Sequence, residues 1–194
     1  MILWLKNTML SLFKSSNNKT TKRKSNKLRS TFEERISLKD LSISTLGVKF
    51  IKQEEGLILY TYPDQVGVLT IGWGHTTDTL PHVYSGMEVT KEQAEVYLKN
   101  DLRFTEELLR PCITFPNLSQ NKWDALVSLV FNQGITKFKD SALLRYVNSG
   151  IYDTTIISQA FNTFTYSEGK YVWELASRRK REINIYLNGI YKFN

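Results

Sequence analysis

The chain has 194 residues, which is long enough for one domain with a sizeable core. Hydrophobic residues make up 41% of it and aromatic residues 12%, so we expect most of the chain to fold. No run of about 18 apolar residues occurs, so the sequence predicts no membrane-spanning helix. The single cysteine, Cys112, excludes an internal disulfide, and the two histidines, His75 and His82, are too few to predict a metal site.

The net charge of +7 is concentrated at the start of the chain. Residues 1–32 contain eight basic residues and no acidic one, which leaves 18 basic against 19 acidic residues in the remainder. The remainder is therefore close to neutral and has no bulk attraction to polyanions. We predict no specific nucleic-acid partner for it.

Residues 1–39 are predicted to form a disordered basic extension ahead of a folded domain over residues 40–194. Residues 15–32 are almost purely Ser, Thr, Asn, Lys and Arg, a composition that offers little surface to bury. Residues 1–14 are more apolar, and three interpretations stay open for them. The first interpretation is a passive leader, and the second is a degenerate export signal or weak membrane-surface anchor. The third is an arm that binds nucleic acid non-specifically.

The folded domain is predicted to begin with a short helix and a small sheet. Apolar side chains at residues 48–51 give one helical face, and Gly56 ends that helix. Residues 57–73 are rich in Leu, Ile, Tyr, Val and Thr and are interrupted by Pro and Gly. This pattern predicts a small antiparallel sheet with tight turns.

The rest of the domain is predicted to contain helices only. Thr90 and Gln93 form a capping box that opens a helix ending near Leu109. The apolar spacing over residues 119–132 indicates a buried helix. Three more helices are expected near residues 139–148, 153–163 and 171–188. A short helix and small sheet followed by helices predict an α+β fold with a sheet lobe and a mostly helical lobe.

Three polar residues interrupt the apolar and aromatic segment that begins this domain. Glu55 ends the first predicted helix, Asp64 lies in the following turn and Thr70 lies on the next strand. Two carboxyl groups on different elements suit glycosidic bond cleavage, in which a protonated acid serves the leaving oxygen and an ionised one acts on water or on the sugar. A hydroxyl group can help to hold that water.

The same segment resembles the amino-terminal signature of the phage-type lysozymes, the endolysins or muramidases of glycoside hydrolase family 24. Its family pattern is roughly G-x-x-x-I-K-x-x-E-G followed by Y-x-D-x-x-G-x-x-T-I-G-x-G-H-T. The resemblance continues downstream and covers roughly residues 44–190. The positions that match the signature are Gly47, Ile51, Lys52, Glu55, Gly56, Tyr62, Asp64, Gly67, Thr70, Ile71, Gly72, Gly74, His75 and Thr76.

The resemblance implies a lysozyme-like fold with a cleft between the two lobes, and inverting hydrolysis of the β-1,4 link between N-acetylmuramic acid and N-acetylglucosamine. Glu55 would be the general acid, kept protonated by partial burial. Asp64 would be ionised and would hold or activate the attacking water, and Thr70 would help to place it. The implied partner is bacterial peptidoglycan, with no metal or cofactor, and the protein is expected to be a monomer.

Other residues receive secondary roles from the same resemblance. Thr76, Phe131 and Ser141 match substrate-binding positions, although a core aromatic and a helix-capping serine are equally good interpretations of the last two. His75 is expected to be a structural support that hydrogen-bonds a nearby acid or carbonyl. Glu54 competes for the acid role, but successive helical residues are about 100° apart, so it should point away from Glu55.

The chain departs from the family pattern near its end, and two other functions stay open. Residues 173–175 read Trp-Glu-Leu where the family commonly has a Pro-Gly-Leu turn.

The domain could be a glycan-binding module without turnover, or a passenger for the basic extension. The route to the cell wall, by export or through a membrane lesion, is not indicated by the sequence.

Overall fold

A computed structural model describes residues 37–64 and 67–193. The predicted extension therefore lies almost entirely outside the described residues, and its disorder stays a prediction. The described part opens with a 3₁₀ helix, Leu38–Asp40, and Leu41 directly after it is buried. Within these residues no helix has the length and apolar character needed to cross a membrane.

The first helix and the first sheet follow the predicted order. Helix α1 is Thr45–Glu55; its N-cap Ser44 accepts a hydrogen bond from the Gly47 backbone N–H. Strands β1, Ile58–Pro63, and β2, Leu69–Gly72, pair antiparallel with Tyr62 opposite Thr70. The register shifts between Ile58 and Tyr62, so the pairing of the two strands is irregular there. This pairing brings the turn that contains Asp64 close to the strand that carries Thr70.

Helix α2, Lys91–Leu109, links the sheet to the helical lobe. The predicted capping box is present: Thr90 Oγ1 accepts from the Gln93 N–H at 3.2 Å, and Gln93 Oε1 accepts from the Thr90 N–H at 2.7 Å. Two otherwise unpaired backbone donors are thus satisfied at the helix start. A 3₁₀ turn, Arg110–Cys112, follows, and the prediction for this helix is confirmed.

Helix α3, Gln120–Gln133, forms the centre of the core. Trp123, Leu126 and Val127 are fully buried, and α3 packs against α1, α2 and the last helix of the chain. The Trp123 Nε1–H donates to Glu106 Oε1 of α2 at 2.8 Å, so the buried indole keeps a polar partner. The remaining helices are α4, Ile135–Lys139; α5, Ala142–Asn148; α6, Thr154–Asn162; and α7, Trp173–Asn188.

Two details of the predicted helical lobe are wrong. The helix expected near residues 139–148 begins only at Ala142, because Ser141 caps it by accepting from the Leu144 N–H at 3.2 Å, and Lys139 belongs to the separate helix α4. The expectation of helices only after the sheet fails at a hairpin of two short strands, β3 Tyr166–Ser167 and β4 Lys170–Tyr171. With its small first sheet and mostly helical remainder, the described chain confirms the predicted α+β fold.

Candidate active site

Two groups from distant parts of the chain surround the carboxylate of Glu55, the last residue of α1. Its Oε1 accepts a hydrogen bond from Arg178 Nη1 of α7 at 2.6 Å. Its Oε2 faces Gly74, because a Cβ atom built on that glycine would lie 3.2 Å from Oε2. An acidic side chain at a helix C-terminus opposes the helix dipole. The positive charge of Arg178 therefore offsets a position that the helix dipole disfavours for an acidic side chain.

In the hairpin, the side chains of Asp64 and Thr70 both bond to the backbone of Val68. Asp64 Oδ1 accepts from the Val68 N–H at 2.8 Å, and the buried Thr70 hydroxyl donates to the Val68 carbonyl at 3.0 Å. Burial first, and then the charges of Glu55 and Asp64, raise the pKa of Tyr62, which lies opposite Thr70. The Tyr62 phenol therefore lies within electrostatic reach of both predicted acids.

A buried polar network behind Glu55 holds Arg178. Its Nε lies 3.2 Å from Glu182 Oε1, and Ser128 Oγ of α3 donates to the same oxygen at 2.7 Å. Arg179 Nε lies 2.7 Å from Glu182 Oε2, and both side chains are fully buried. Burial lowers the pKa of Arg178, but the charges of Glu55 and Glu182 outweigh it and raise the pKa overall. The guanidinium is therefore charged where it contacts Glu55.

Glu54 is bound separately from Glu55. Arg181 donates to it twice, from Nε to Oε1 and from Nη2 to Oε2, each at 2.6 Å. The side chain of Glu54 is 5% exposed and that of Glu55 is 19% exposed. The two neighbours thus pair with different arginines, as their angular separation on the helix predicts. Both oxygens of Glu54 are engaged, whereas Oε2 of Glu55 faces Gly74.

His75 is buried behind the sheet with acceptors at both ring nitrogens. Nδ1 lies 2.9 Å from Asp101 Oδ2 of α2, and Nε2 lies 2.8 Å from the Pro81 carbonyl. Burial lowers the pKa of His75, but the bonds to Asp101 and Pro81 raise it by more, so the pKa lies above its ordinary value. Two acceptors match the two donors of an imidazolium ring. Both ring nitrogens of His75 therefore have hydrogen-bond partners within the fold.

Thr76 and Phe131 line one cavity, and Ser141 lines another. The first cavity, of about 550 Å³, is also lined by Gly74, the glycine that Glu55 Oε2 faces, whereas Glu55, Asp64 and Thr70 are not among its lining residues. The second, of about 350 Å³, contains Ser141. There the Ser141 hydroxyl donates to the Phe138 carbonyl at 2.7 Å and caps α5. The structure thus places Thr76 and Phe131 in the cavity beside Glu55, which reaches Glu55 only through Gly74, and places Ser141 in a separate cavity.

The sequence predicts no functional role for Ser128, Glu182 or Tyr62. Two signals were available for the first two. Ser128 is a polar residue inside an apolar helical face, and Glu182 follows Arg178 at the i,i+4 spacing of helical ion pairs. Their use by Glu55 depends on the packing of α7 against α3 and α1, which local patterns do not contain.

A small sheet and a helical lobe, with a carboxyl group at a helix end beside a cavity, define the lysozyme-like class of glycoside hydrolases. The comparisons with known proteins agree with this class. The Phage lysozyme family model matches residues 52–182. The endolysin of Salmonella phage P22 is 38% identical over 149 residues, which cover 76% of this chain and 99% of that protein. The chain belongs to the phage lysozyme family.

Solved structures show the same relationship. An endolysin from Escherichia coli O157:H7 phage FAHEc1 superposes with a TM-score of 0.70 at 35% identity, covering 79% of this chain and 98% of that one. The muramidase domain of SpmX from Asticaccaulis excentricus gives a TM-score of 0.67 at 36% identity, covering 76% of this chain and 99% of that domain. Both agree with a lysozyme, a hydrolase of glycosidic bonds.

Proposed function

We propose that this lysozyme hydrolyses the β-1,4 bond between N-acetylmuramic acid and N-acetylglucosamine in peptidoglycan, with inversion, during phage-mediated lysis. Glu55 is the general acid, Asp64 the ionised carboxylate that acts on water, and Thr70 the hydroxyl that holds this water. The single observation that carries the proposal is the environment of Glu55. Its Oε1 is bound to Arg178 and its Oε2 faces the glycine that lines the cavity.

The hydrogen bond from Arg178 determines which oxygen of Glu55 delivers the proton. Oε1 accepts from a charged guanidinium and cannot point a proton at that donor. The transferable proton therefore resides on Oε2, on the side of Gly74. A glycosidic oxygen placed beside Gly74 lies within reach of that proton. Protonation of this oxygen lets the leaving sugar depart as an alcohol.

The Thr70 hydroxyl is suited to accept a hydrogen bond from water. Its proton is directed to the Val68 carbonyl, so its lone pairs remain to bind the water. The same residue, Val68, donates its N–H to Asp64 Oδ1 and so fixes the carboxylate beside Thr70. Water held between Thr70 and Asp64 would attack the anomeric carbon from the face opposite the leaving group, which gives inversion.

The test uses Glu55→Gln, with Glu54→Gln as the matched control on the neighbouring residue. Purified peptidoglycan is digested with wild type and both variants, and the products are read by mass spectrometry. We expect muropeptides with a free N-acetylmuramic acid reducing end from wild type and Glu54→Gln. For Glu55→Gln we expect a rate lower by at least about 100-fold. Full activity of Glu55→Gln would refute its role as the acid.

The stereochemistry is tested on the same reaction. Proton NMR of the first product formed should show the α-anomer, because one displacement at a β-linked carbon inverts it. A β-anomer as first product would contradict the direct attack of water. Saccharide binding by wild type with no product at all would favour a binding module that lacks turnover.

We further propose that the lysozyme acts as a monomer and that its basic extension makes weak contact with anionic membrane surfaces. The Glu55 carboxylate pairs with Arg178 of its own chain and needs no residue from a second copy there, which supports the first point. Eight basic residues and no acid in residues 1–32 support the second. Light scattering after gel filtration tests the mass. Binding to anionic vesicles should fall with salt and with removal of residues 1–32.

A further inference from the structure

Three aromatic side chains form an exposed cluster at the hairpin of the helical lobe. Tyr166 of β3 meets Tyr171 of β4 edge to face with ring centroids 5.6 Å apart. Tyr171 meets Trp173, the first residue of α7, at 5.2 Å and nearly perpendicular. All three are exposed, and Trp173 has 76% of its surface in contact with solvent. Clustered exposed aromatic side chains are uncommon on a soluble domain and indicate a binding surface.

The helix start gives no reason for a tryptophan at this position. The first helical residue is a favoured place for proline, whose ring is pre-set for the helix and which needs no N–H partner there. The resembling family commonly has proline in the corresponding Pro-Gly-Leu turn. Trp173 contributes little to the core because most of it is exposed. Its presence therefore calls for an explanation outside folding.

The cluster forms one wall of a groove with polar side chains beside it. The groove has a volume of about 730 Å³, and its lining includes Asn162 of α6 with Ser177 and Lys180 of α7. A sugar ring has an apolar C–H face and a rim of hydroxyl and amide groups. Aromatic faces suit the former, and the Asn162 amide and Ser177 hydroxyl suit the latter. Lys180 adds a positive charge that favours a saccharide bearing a carboxylate.

The groove is linked to the cavity beside Glu55 by shared and adjacent lining residues. Tyr166 lines both the groove and the smaller cavity that contains Ser141. That smaller cavity also contains Gln133, the neighbour of Gly134 in the cavity beside Glu55. The groove, the smaller cavity and the cavity that Gly74 lines therefore follow one another through shared or neighbouring residues.

We propose that this groove, lined by Tyr166, Tyr171, Trp173 and Lys180, is a secondary binding site for an acidic glycan strand of peptidoglycan. The inference rests on the proposed function, because its ligand is the polymer that the cleft hydrolyses. The groove binds sugars outside the pair that is cleaved and holds the enzyme on the insoluble wall. It contributes to retention on the polymer and makes no contact with the reacting bond.

Binding is measured with the full chain carrying Glu55→Gln, which keeps the polymer intact during the assay. Trp173→Ala and Lys180→Gln are compared with two surface controls, Tyr84→Ala and Lys99→Gln, by sedimentation with peptidoglycan sacculi. We expect Trp173→Ala to weaken binding by about tenfold, as expected for a central aromatic contact. Lys180→Gln should weaken it by about threefold, and this effect should disappear at high salt. The two controls should bind like their parent.

Chitin, which has the same backbone without carboxylates, separates the two contributions. Trp173→Ala should weaken binding to chitin as well, whereas Lys180→Gln should leave it unchanged. Unaltered sedimentation of both groove variants would overturn the proposal, and so would an equal loss in Tyr84→Ala. Lys180 is an exposed helical residue, so its variant keeps the test valid if Trp173→Ala fails to fold.

Activity assays separate this inference from the proposed function. In the Glu55-containing enzyme, Trp173→Ala should raise the KM for sacculi and leave cleavage of a soluble tetrasaccharide fragment unchanged. If the wild type releases no product from either substrate, the proposed function fails while the sedimentation result still decides the groove. If Trp173→Ala cleaves both sacculi and the fragment as well as the wild type does, the groove proposal fails and the proposed muramidase activity is retained.

Discussion

Replacing Gly74 with alanine tests whether the position of Glu55 Oε2 governs the reaction. Gly74 has a φ of +81°, a backbone conformation that L side chains rarely adopt. A Cβ atom there would lie 3.2 Å from Glu55 Oε2 and 3.7 Å from Phe131 Cε1. The first contact is too close, so the carboxylate must move by a few tenths of an ångström. Its other oxygen stays bound to Arg178.

Gly86 provides a matched control for the cost in the backbone. Its φ is +79°, and nothing lies within 4 Å of a Cβ built on it. Each alanine substitution should reduce stability by about 1–2 kcal/mol, the cost of placing an L-residue in the left-handed region. Gly74→Ala alone should also displace the acid. Misplacement by about 1 Å costs about 100-fold in rate, so we expect about a tenfold loss for a smaller shift.

The assay compares kcat/KM on a soluble peptidoglycan fragment for wild type and both alanine variants, with urea unfolding of each. We expect similar losses of stability and a tenfold lower kcat/KM in Gly74→Ala only, which corresponds to about 1.4 kcal/mol of transition-state stabilisation. If Gly74→Ala retains full activity, Oε2 does not deliver the proton. If Gly86→Ala loses as much activity, backbone strain explains both.

Three further predictions concern the surroundings of the cleft. Because the pKa of His75 is raised in the fold, its stabilisation is present below about pH 6.5 and is lost as pH rises through the folded-state pKa. His75→Asn should therefore reduce the free energy of unfolding in urea more at pH 6 than at pH 9. Arg178→Met leaves Glu182 buried with one fewer partner, and should cost about 3–5 kcal/mol in urea unfolding and abolish hydrolysis. Ser141→Ala should lower the melting temperature by removing a cap worth about 1 kcal/mol, and should reduce kcat/KM less than Phe131→Ala.

Each of these predictions has a defined contrary result. A constant effect of His75→Asn between pH 6 and pH 9 would show that the ring is not charged in the fold. Arg103 pairs with Glu107 on the surface, so Arg103→Met should leave the free energy of unfolding unchanged. If Arg103→Met lost as much stability as Arg178→Met, burial of the ion pair would not explain the loss. A larger activity loss in Ser141→Ala than in Phe131→Ala would restore Ser141 as a substrate contact.

The elements that sequence reasoning predicted well are those with strong local signals. Thr90 and Gln93 lie three residues apart, and their reciprocal bonds need nothing beyond one helical turn. The hairpin at residues 166–171 carried a weaker signal. It has only two residues in each strand, and its turn places Glu168 at a φ of +49° and Gly169 at +75°. Glutamate is not one of the residue types that predict a turn with a positive φ, so Glu168 gave no signal.

The candidate site was only partly predictable for a related reason. Glu55, Asp64 and Thr70 occur within 16 residues and match a family signature. Arg178 lies 123 residues from Glu55, and their contact depends on the packing of α7 against the core. Patterns along the chain indicate which residues could be charged and buried. They do not indicate which distant partner compensates that charge.

Asp124 of α3 connects the two ends of the described domain. Its Oδ1 accepts from the Ser44 backbone N–H at 2.9 Å, and its Oδ2 accepts from the Tyr191 hydroxyl at 2.6 Å. One turn further along the same helix, the Ser128 hydroxyl accepts from Arg178, which binds Glu55. The helix that bonds to both ends of the described domain is therefore the same helix that bonds to Arg178 beside Glu55. One helix thus connects the ends of the domain with the surroundings of Glu55. A tethered or fused form of this enzyme should therefore be tested for its catalytic rate as well as for its folding.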